Sequence, residues 1–467
     1  MSWGRGNYIH FLIYVKRERG NKMKFKNMIM GIWKILIFIV FMILQYLFIK
    51  TIPIEYTSKM LLIGIYLVLI LLFSVIFNAL KIGILRITEI AYSESLSMVI
   101  TNIIFYFLLC VTIREFHHPI QYLGITIIQI ALSILWAKIG HQIYYKLNDS
   151  CRILLIYGSN PNALIQKMKK HESRFDIIET LESKDIHQME QKSEEIGAVM
   201  IYDVEENLKQ KLLTYCFEND IKVIIVPNVS DIILHGSRQS HLIDTPFYVA
   251  DNFKLSNEQE LLKRILDLII IIPITIIALP FMAITALCIK LEDRGPILYK
   301  QERLTKNGEH FYVYKFRSMI VNAEKAGAQL ASKNDNRITK VGNVIRKIRF
   351  DELPQILNIL KGDMSIVGPR PERPEIAEDY VKDYPEFKYR LKVKAGLTGY
   401  AQIFGKYNTT PEDKVKMDIM YIQNYSLLLD IKLIILTVKI LFMPESTEGI
   451  EEGQKTAVSE RLKGENL

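Results

Sequence analysis

Four long apolar stretches occupy the first third of the chain and limit its fold more than any other feature. They lie at 28–49, 60–80, 96–113 and 120–137. Each is close to the ~20 residues that an α-helix needs to cross the hydrocarbon core of a bilayer. They predict a bundle of four transmembrane helices over residues 28–147. The cations that precede the first stretch indicate that residues 1–27 are a cytoplasmic N-terminal segment.

A fifth apolar stretch at 265–289 carries prolines in its interior. Pro280 lies near its middle and Pro273 lies earlier, while Lys263 and Lys290 place cations at the two ends. A mid-helix proline removes a backbone hydrogen bond and favours a kink. Two structures fit this pattern: an ordinary proline-kinked span, and a re-entrant helix over 256–290 that breaks at Pro280 and returns to the same face.

Residues 148–255 alternate strand and helix patterns. Short apolar runs at 152–157, 175–178, 198–202 and 222–226 are typical of buried strands, and their alternation with helical stretches predicts a Rossmann-like α/β domain with a parallel sheet. The first turn holds one glycine, Gly158, where a dinucleotide fingerprint needs three. Nucleotide binding and a structural, regulatory or dimerising role therefore both stay open for this domain.

Length and charge narrow the function classes. The 467 residues suffice for two or three domains, and the net charge of +9 fits anionic lipid, phosphorylated substrates or nucleic acid. The membrane stretches favour lipid and substrate, and the absence of a recognition motif argues against nucleic acid. The four cysteines are scattered without metal-ligand spacing, which fits a reducing compartment.

The adjacent acids Asp351 and Glu352 are the strongest candidates for catalysis. They lie in a basic run and are followed by Pro354, so Asp351 is also a candidate helix N-cap, with Gly362 as the stop. In the functional interpretation, the helix N-terminus and the nearby Arg346 keep Asp351 ionised. An ionised carboxylate can attack phosphorus, and its neighbour can act as base or metal ligand.

Cations in two places suit phosphate binding. Lys315 and Arg317 alternate with aromatic residues, which predicts a strand with both cations on one face, able to grip a diphosphate. Arg370 lies between two prolines that restrict its backbone, so its guanidinium would lose little entropy on binding a phosphate. A solvated basic face on anionic headgroups explains many of the other cations.

One further motif follows these residues in the chain. The stretch from Gly396 to Gln402 is a glycine-punctuated turn that shapes either a sugar or base pocket or only a tight loop. The candidate substrate contacts are Gln355, shortly after the acid pair, and Thr398 and Gln402, in this turn. Mg²⁺ needs only one or two carboxylates plus substrate phosphates, so Asp351 and Glu352 are the candidate ligands.

Taken together, these blocks resemble the bacterial sugar transferase family, the monotopic polyprenyl-phosphate hexose-1-phosphate transferases. The resemblance covers roughly residues 263–442 and runs, in order, through Lys263-Arg264-Ile265-Leu266-Asp267, Pro280, Tyr314-Lys315-Phe316-Arg317-Ser318-Met319, Arg346, Asp351-Glu352-Leu353-Pro354-Gln355, the segment 361–371 and Gly396-Leu397-Thr398-Gly399. The four predicted spans and the Rossmann-like domain resemble the long members of the family.

The resemblance implies a mechanism and its partners. Asp351 would be the nucleophile, Glu352 its Mg²⁺-associated partner, and Arg346 and Arg370 phosphate binders. The donor would be a UDP-sugar and the acceptor undecaprenyl phosphate, at the cytoplasmic face of the bacterial inner membrane. Pro280 would break a re-entrant helix in the lipid bilayer. Family precedent also implies a homodimer.

The predicted fold is therefore an N-terminal membrane helix bundle, a Rossmann-like α/β domain, and a monotopic α/β phosphoglycosyl transferase domain with a re-entrant helix. The catalytic domain is expected over 291–443, and a polar, acid-rich tail over 444–467 is expected to be disordered. The alternative function is a catalytically inactive membrane scaffold or regulator of polysaccharide assembly.

Overall fold

The computed structural model describes residues 5–148, 150–169, 175–183, 197–251, 253–321, 335–405 and 409–441, and side chains from residue 25 onward. The tail expected over 444–467 lies outside the described residues. The chain forms two compact units, 1–226 and 227–467. The segment 227–255 packs with the second unit, and the sequence-based domain boundaries stay predictions.

The first unit begins with four long helices, α1 (Arg5–Lys50), α2 (Tyr56–Ile76), α3 (Ile87–Ile113) and α4 (Pro119–Leu147). All four are long and apolar enough to cross a membrane, which confirms the predicted long apolar helices, and their crossing of the bilayer stays a prediction. Three are longer than predicted: α1 begins at Arg5 rather than at residue 28, α3 begins at Ile87 rather than at residue 96, and α4 continues past residue 137. The helices extend beyond the most apolar stretches because backbone hydrogen bonds, which do not require apolar side chains, continue into the flanking residues.

Polar side chains lie inside this bundle. Asn102 on α3 accepts from Gln45 on α1 at 3.2 Å and donates to Gln129 on α4 at 2.7 Å. Gln129 in turn donates to the Tyr66 hydroxyl on α2 at 3.1 Å. Unsatisfied polar groups are costly in hydrocarbon, so these side chains need their partners. The hydrogen bonds therefore link all four helices and fix their positions relative to one another.

A four-stranded parallel sheet follows the bundle. Its strands are β1 (Cys151–Tyr157), β2 (Phe175–Glu182), β3 (Ala198–Tyr202) and β4 (Lys222–Val226), in the spatial order β2-β1-β3-β4. Helices α5 (Asn162–Lys169) and α6 (Glu206–Glu218) cover it. Alternate residues of β1 pack with Met168 of α5 or with Leu212 of α6, so both faces of the sheet are buried. The predicted parallel sheet is confirmed.

Gly158 at the end of β1 has a packing reason. A Cβ atom there would lie 2.1 Å from the carbonyl oxygen of Asp203, while the Gly158 amide donates to Tyr202 at 3.1 Å. The chain crosses the end of β3 too closely for any side chain. This close approach explains why residue 158 is a glycine, and no bound ligand is needed to explain it.

The second unit combines helices with three two-stranded sheets. The strands are β5 (Arg238–Leu242) with β6 (Thr245–Val249), β7 (Leu298–Leu304) with β8 (His310–Phe316), and β9 (Ser365–Val367) with β10 (Gly396–Thr398). The helices are α7 (Val229–His235), α8 (Asn257–Asp293), α9 (Lys340–Lys347), α10 (Gln355–Lys361), α11 (Pro374–Asp383), α12 (Tyr400–Phe404), α13 (Pro411–Gln423) and α14 (Leu427–Leu441), with 3₁₀ helices at Lys306–Gly308, Phe350–Glu352 and Pro385–Lys392.

Helix α8 contains the predicted fifth membrane segment. It begins at a capping box formed by Ser256 and Gln259 and is long and apolar enough to cross a membrane. It runs without interruption through Pro273 and Pro280, so the expected break at Pro280 does not appear as a gap in the helix. A proline removes only one backbone hydrogen bond, and the turns on either side persist. A bend at Pro280 stays a prediction.

Both ends of α8 are bound to the same small part of the second unit. Near its start, the Arg264 guanidinium donates to the carbonyls of Ile359 and Leu360 on α10. Near its end, Asp293 accepts from Arg317 at 2.7 Å, one residue past β8. Asn358 of α10 binds the β8 backbone, so α10 and β8 form one rigid support for the two halves of the helix.

Candidate active site

The acid pair lies on a 3₁₀ turn between α9 and α10. Arg349, just before this turn, has a φ of 57° in the left-handed region, which redirects the chain into Phe350–Glu352. Helix α10 begins at Gln355 with Pro354 as its N-cap residue, so the prediction of Asp351 as the N-cap is wrong. The predicted stop is confirmed, since Gly362 ends α10 with a φ of 93°.

Two cations hold the Glu352 carboxylate. Its Oε1 accepts from Lys315 Nζ at 3.0 Å and from Arg370 Nη2 at 3.3 Å. Burial alone would raise the pKa of Glu352, but Lys315 and Arg370 together hold it well below its usual range. Glu352 is therefore ionised at neutral pH and joins strand β8 to the loop that carries Arg370.

Asp351 has the opposite electrostatic balance. Burial and the neighbouring charge of Glu352 raise the pKa of Asp351, and Lys315 and Arg346 oppose that rise. The expectation that Arg346 and the helix terminus keep Asp351 ionised stays a prediction, although Arg346 does lower its pKa. Burial and a like charge outweigh the cations here.

Two arginines, the buried Arg390 and the half-buried Arg303, bind the backbone around Arg370. Arg390 donates to the Arg370 carbonyl at 2.9 Å, and Arg303 donates to the Pro371 carbonyl at 3.0 Å. Asp418 on α13 accepts from Arg390 Nε at 2.9 Å, and burial raises the pKa of Asp418 to about 6. We call Arg303, Arg390 and Asp418 the brace, because their bonds fix the loop whose guanidinium reaches Glu352.

Gly396 and Gly399 pack closely against the backbone of Gly368, where no side chain would fit. A Cβ on Gly396 would lie 2.1 Å from the Gly368 amide nitrogen, and one on Gly399 would lie 2.1 Å from the Gly368 carbonyl oxygen. The Gly368 amide donates to the Thr398 carbonyl at 2.8 Å. The glycine-punctuated turn thus supports the strand that leads into Pro369 and Arg370, which matches the tight-loop interpretation.

Other predicted site residues bind neighbouring protein groups. Arg317 forms its ion pair with Asp293, whereas Lys315 binds Glu352, so the two cations have different partners. The Thr398 hydroxyl accepts from Thr437 at 2.7 Å, and the Gln402 amide donates to the Leu397 carbonyl at 3.0 Å.

Gln355 is buried at the start of α10, and Arg346 lies in the last turn of α9. The substrate-binding roles expected for Arg317, Arg346, Gln355, Thr398 and Gln402 stay predictions.

The acid pair suits a magnesium ion only when substrate is also present. Among the described residues, no group of three or more His, Cys, Asp or Glu side chains comes together as a metal site. Mg²⁺ needs few protein carboxylates when phosphate oxygens complete its coordination. Asp351 and Glu352 therefore fit as ligands for a metal that arrives with a phosphorylated donor.

Sequence reasoning missed the brace and a second buried network. Lys263 on α8 binds the buried Asp430 on α14, and Asp430 also accepts from the Tyr421 hydroxyl at 2.8 Å. The Asp267 carboxylate accepts from the Ile366 amide at 3.1 Å. A single acid inside an apolar run, as at Asp267, was the one signal that pointed to a buried partner.

Comparison with known protein families agrees with this geometry. Residues 258–444 match the family model described as bacterial sugar transferase. An uncharacterized sugar transferase of Bacillus subtilis (strain 168) is 38% identical over 193 residues, which are 41% of this chain and 91% of that protein. The chain belongs to the bacterial sugar transferase family.

Two longer relatives carry named activities. A UDP-N-acetylgalactosamine-undecaprenyl-phosphate N-acetylgalactosaminephosphotransferase of Aeromonas hydrophila is 36% identical over 241 residues, which are 49% of this chain and 54% of that protein. A UDP-glucose:undecaprenyl-phosphate glucose-1-phosphate transferase of Escherichia coli (strain K12) is 36% identical over 234 residues, which are 49% of this chain and 50% of that protein. This family member therefore spans about half the length of the longer relatives that it matches.

Proposed function

We propose that this protein transfers a sugar-1-phosphate from a UDP-sugar to undecaprenyl phosphate. The products are undecaprenyl-diphosphate-sugar and UMP, in the initiating step of exopolysaccharide, capsule or O-antigen synthesis. The observation that carries the proposal is the acid pair, in which Glu352 is clamped by Lys315 and Arg370 beside Asp351. Named relatives with this donor and acceptor support it.

The proposed chemistry has two displacements at one phosphorus. An Asp351 carboxylate oxygen attacks the sugar-bearing phosphorus, and the bond to the bridging oxygen breaks so that UMP leaves. A phosphate oxygen of the acceptor then attacks the same phosphorus and displaces the Asp351 oxygen. Arg370 and Lys315 offset the charge of Glu352, so an anionic donor can approach Asp351. A bound Mg²⁺ would supply further charge neutralisation at the phosphate oxygens.

The membrane geometry supports a re-entrant α8. Its two halves bind α10 and the end of β8, which Asn358 joins at 3.0 and 2.7 Å. A hydrocarbon core of ~30 Å cannot separate two elements joined by one side chain. Phe281, next to Pro280, packs against Phe350 with ring centroids 6.0 Å apart. The apolar segment thus lies beside the turn that carries Asp351, at the surface where a soluble donor and a lipid acceptor meet.

We further propose that the catalytic unit faces the cytoplasm of the bacterial inner membrane and that the protein acts as a homodimer. Nucleotide-activated sugars are cytoplasmic, which sets the orientation. The dimer rests on family precedent.

The decisive experiment measures UMP release by purified full-length protein. A panel of UDP-sugars is supplied with Mg²⁺ and undecaprenyl phosphate, and Asp351→Asn is compared with the wild type. We expect turnover by the wild type with at least one UDP-sugar and loss of turnover in Asp351→Asn, because the amide cannot attack phosphorus. The variant should unfold at the wild-type temperature. Full activity in Asp351→Asn would refute the nucleophile, and no UMP release by the wild type would favour an inactive scaffold.

A further inference from the structure

A cavity is lined on one side by the loop that carries Arg370. It has a volume of about 380 Å³ and is enclosed by that loop, α11 and the 3₁₀ helix Pro385–Lys392. Arg370 lines the cavity and also donates to Glu352. One residue, Arg370, therefore belongs to the lining of this cavity and also contacts the acid pair.

The lining of the cavity combines apolar walls with a few charged groups. Val381 and Phe387 contribute to the walls, and the carboxylate of Glu372 lies between the half-buried Arg303 and the buried Arg390. The exposed Lys388 lines it as well. Small-molecule sites in proteins have this character: concave, mostly apolar, and with a few fixed polar groups.

A nucleoside matches this lining. Its base has apolar faces, its ribose hydroxyls can donate to a carboxylate, and its 5′-phosphate needs a cation. Glu372 supplies the carboxylate and Arg370, two residues earlier, supplies the cation.

An isoprenoid chain matches less well. The most exposed apolar residues of the second unit include Ile276 and Ile277 on α8, and no residue of α8 or α14 lines the cavity.

We propose that the cavity receives the nucleoside of the nucleotide-sugar donor. This inference rests on the proposed function and adds the place of the base and ribose. Arg370 then lies at the boundary between nucleoside and diphosphate, which directs the sugar-bearing phosphorus toward Asp351. Released UMP keeps its nucleoside in the cavity until it dissociates.

The test measures ligand binding without turnover, on full-length protein in nanodiscs. Calorimetric titrations with UMP and with inorganic pyrophosphate are compared between the wild type and Val381→Trp, which fills the cavity from α11. We expect the affinity for UMP to fall by about tenfold or more, and the affinity for pyrophosphate to change less than about twofold, because only the nucleoside needs the cavity.

A matched control places the same side chain outside the cavity. Glu375→Trp lies on the exposed side of α11 and does not line the cavity, so both affinities should stay at wild-type values. If Val381→Trp loses pyrophosphate binding, the comparison is repeated with the smaller change Val381→Phe, and equal loss of both ligands there contradicts the proposal.

Two other outcomes would overturn the inference while leaving the transferase activity intact. One is an unchanged affinity for UMP in a folded Val381→Trp variant that still releases UMP from a UDP-sugar. The other is an increased KM for undecaprenyl phosphate with unchanged UMP affinity, which would assign the cavity to the lipid acceptor. Failure of the wild type to release UMP from any UDP-sugar would instead refute the proposed function.

Discussion

Asp351 and Glu352 are adjacent in the chain but have opposite electrostatic environments. Glu352 receives hydrogen bonds from Lys315 and Arg370, and its pKa is held low. Asp351 is buried beside that fixed negative charge, and its pKa is raised. A carboxylate with a raised pKa is more basic and holds its electrons less tightly, which suits a nucleophile, while the clamped neighbour suits a permanent anion.

The raised pKa of Asp351 predicts a pH dependence of catalysis. Only the carboxylate form attacks, so kcat/KM should fall as the pH drops through the pKa of Asp351. The fall should begin at a higher pH than the ordinary value of 3.8 would give. Lys315→Gln removes a cation that lowers this pKa, so the fall should move to still higher pH. A pH–rate profile of UMP release tests both expectations.

Lys300→Gln is the matched control for that profile, since Lys300 is an exposed cation on the neighbouring strand β7. Its profile should follow the wild type. A Lys315→Gln profile shifted to lower pH, or not shifted, would contradict the assignment of the acidic limb to Asp351.

The brace predicts an effect of a residue that touches no substrate. Asp418→Asn removes the charge that orients Arg390, and Arg390 holds the Arg370 carbonyl. A displacement of about 1 Å at a reacting group can cost on the order of 100-fold in rate. We therefore expect kcat/KM for the donor to fall by about 10- to 100-fold, measured as UMP release, in a protein that still unfolds cooperatively.

Glu412→Gln is the matched control on the same helix, because it breaks the surface pair with Lys416, which contributes only ~0.3–0.5 kcal/mol. Its kcat/KM should stay at the wild-type value. Equal kinetics for Asp418→Asn and the wild type would show that the brace does not position Arg370.

At the scale of elements, α8 connects a candidate membrane segment to the candidate site. Its first turns bind α10 through Arg264, its last residue binds Arg317 beyond β8, and Phe281 packs on Phe350. Helix α8 therefore touches the acid-bearing turn and both elements that support it. Any change in the depth of α8 in the bilayer would move these contacts together.

The topology of α8 predicts the labelling of engineered cysteines. In a background without the four native cysteines, Glu258→Cys and Lys300→Cys flank the helix on exposed positions, and Ile276→Cys lies within it. An impermeant maleimide should label both flanking cysteines in inside-out vesicles and neither in intact spheroplasts. Ile276→Cys should stay unlabelled in both, because it lies in the bilayer. Labelling of the two flanking positions from opposite faces would show an ordinary span.

For the whole molecule, the division between Val226 and Pro227 separates the family-matched region from the bundle and the parallel sheet. The Bacillus subtilis relative aligns over 91% of its own length with 41% of this chain. That relative is little longer than the matched region, and the second unit has its own candidate membrane helix, α8.

This division predicts that residues 227–467 alone retain the chemistry. Membranes containing this fragment should release UMP with a kcat within about tenfold of the full-length protein, because the acid pair, brace and α8 all lie after residue 226. The same fragment with Asp351→Asn is the control for background hydrolysis. An inactive but folded fragment would mean that the first unit contributes directly to catalysis.

The sequence by itself determined the five apolar helices, the parallel strands of the first unit and the place of the acid pair, because periodicity and turn residues act between chain neighbours. It also placed Gly362 at the end of α10. Only the tertiary structure decided which cation reaches Glu352, that Asp418 and Arg390 fix the Arg370 loop, and that the pKa of Asp351 rises. These outcomes depend on burial and on partners distant in the chain, and such interactions arise only when the elements pack together.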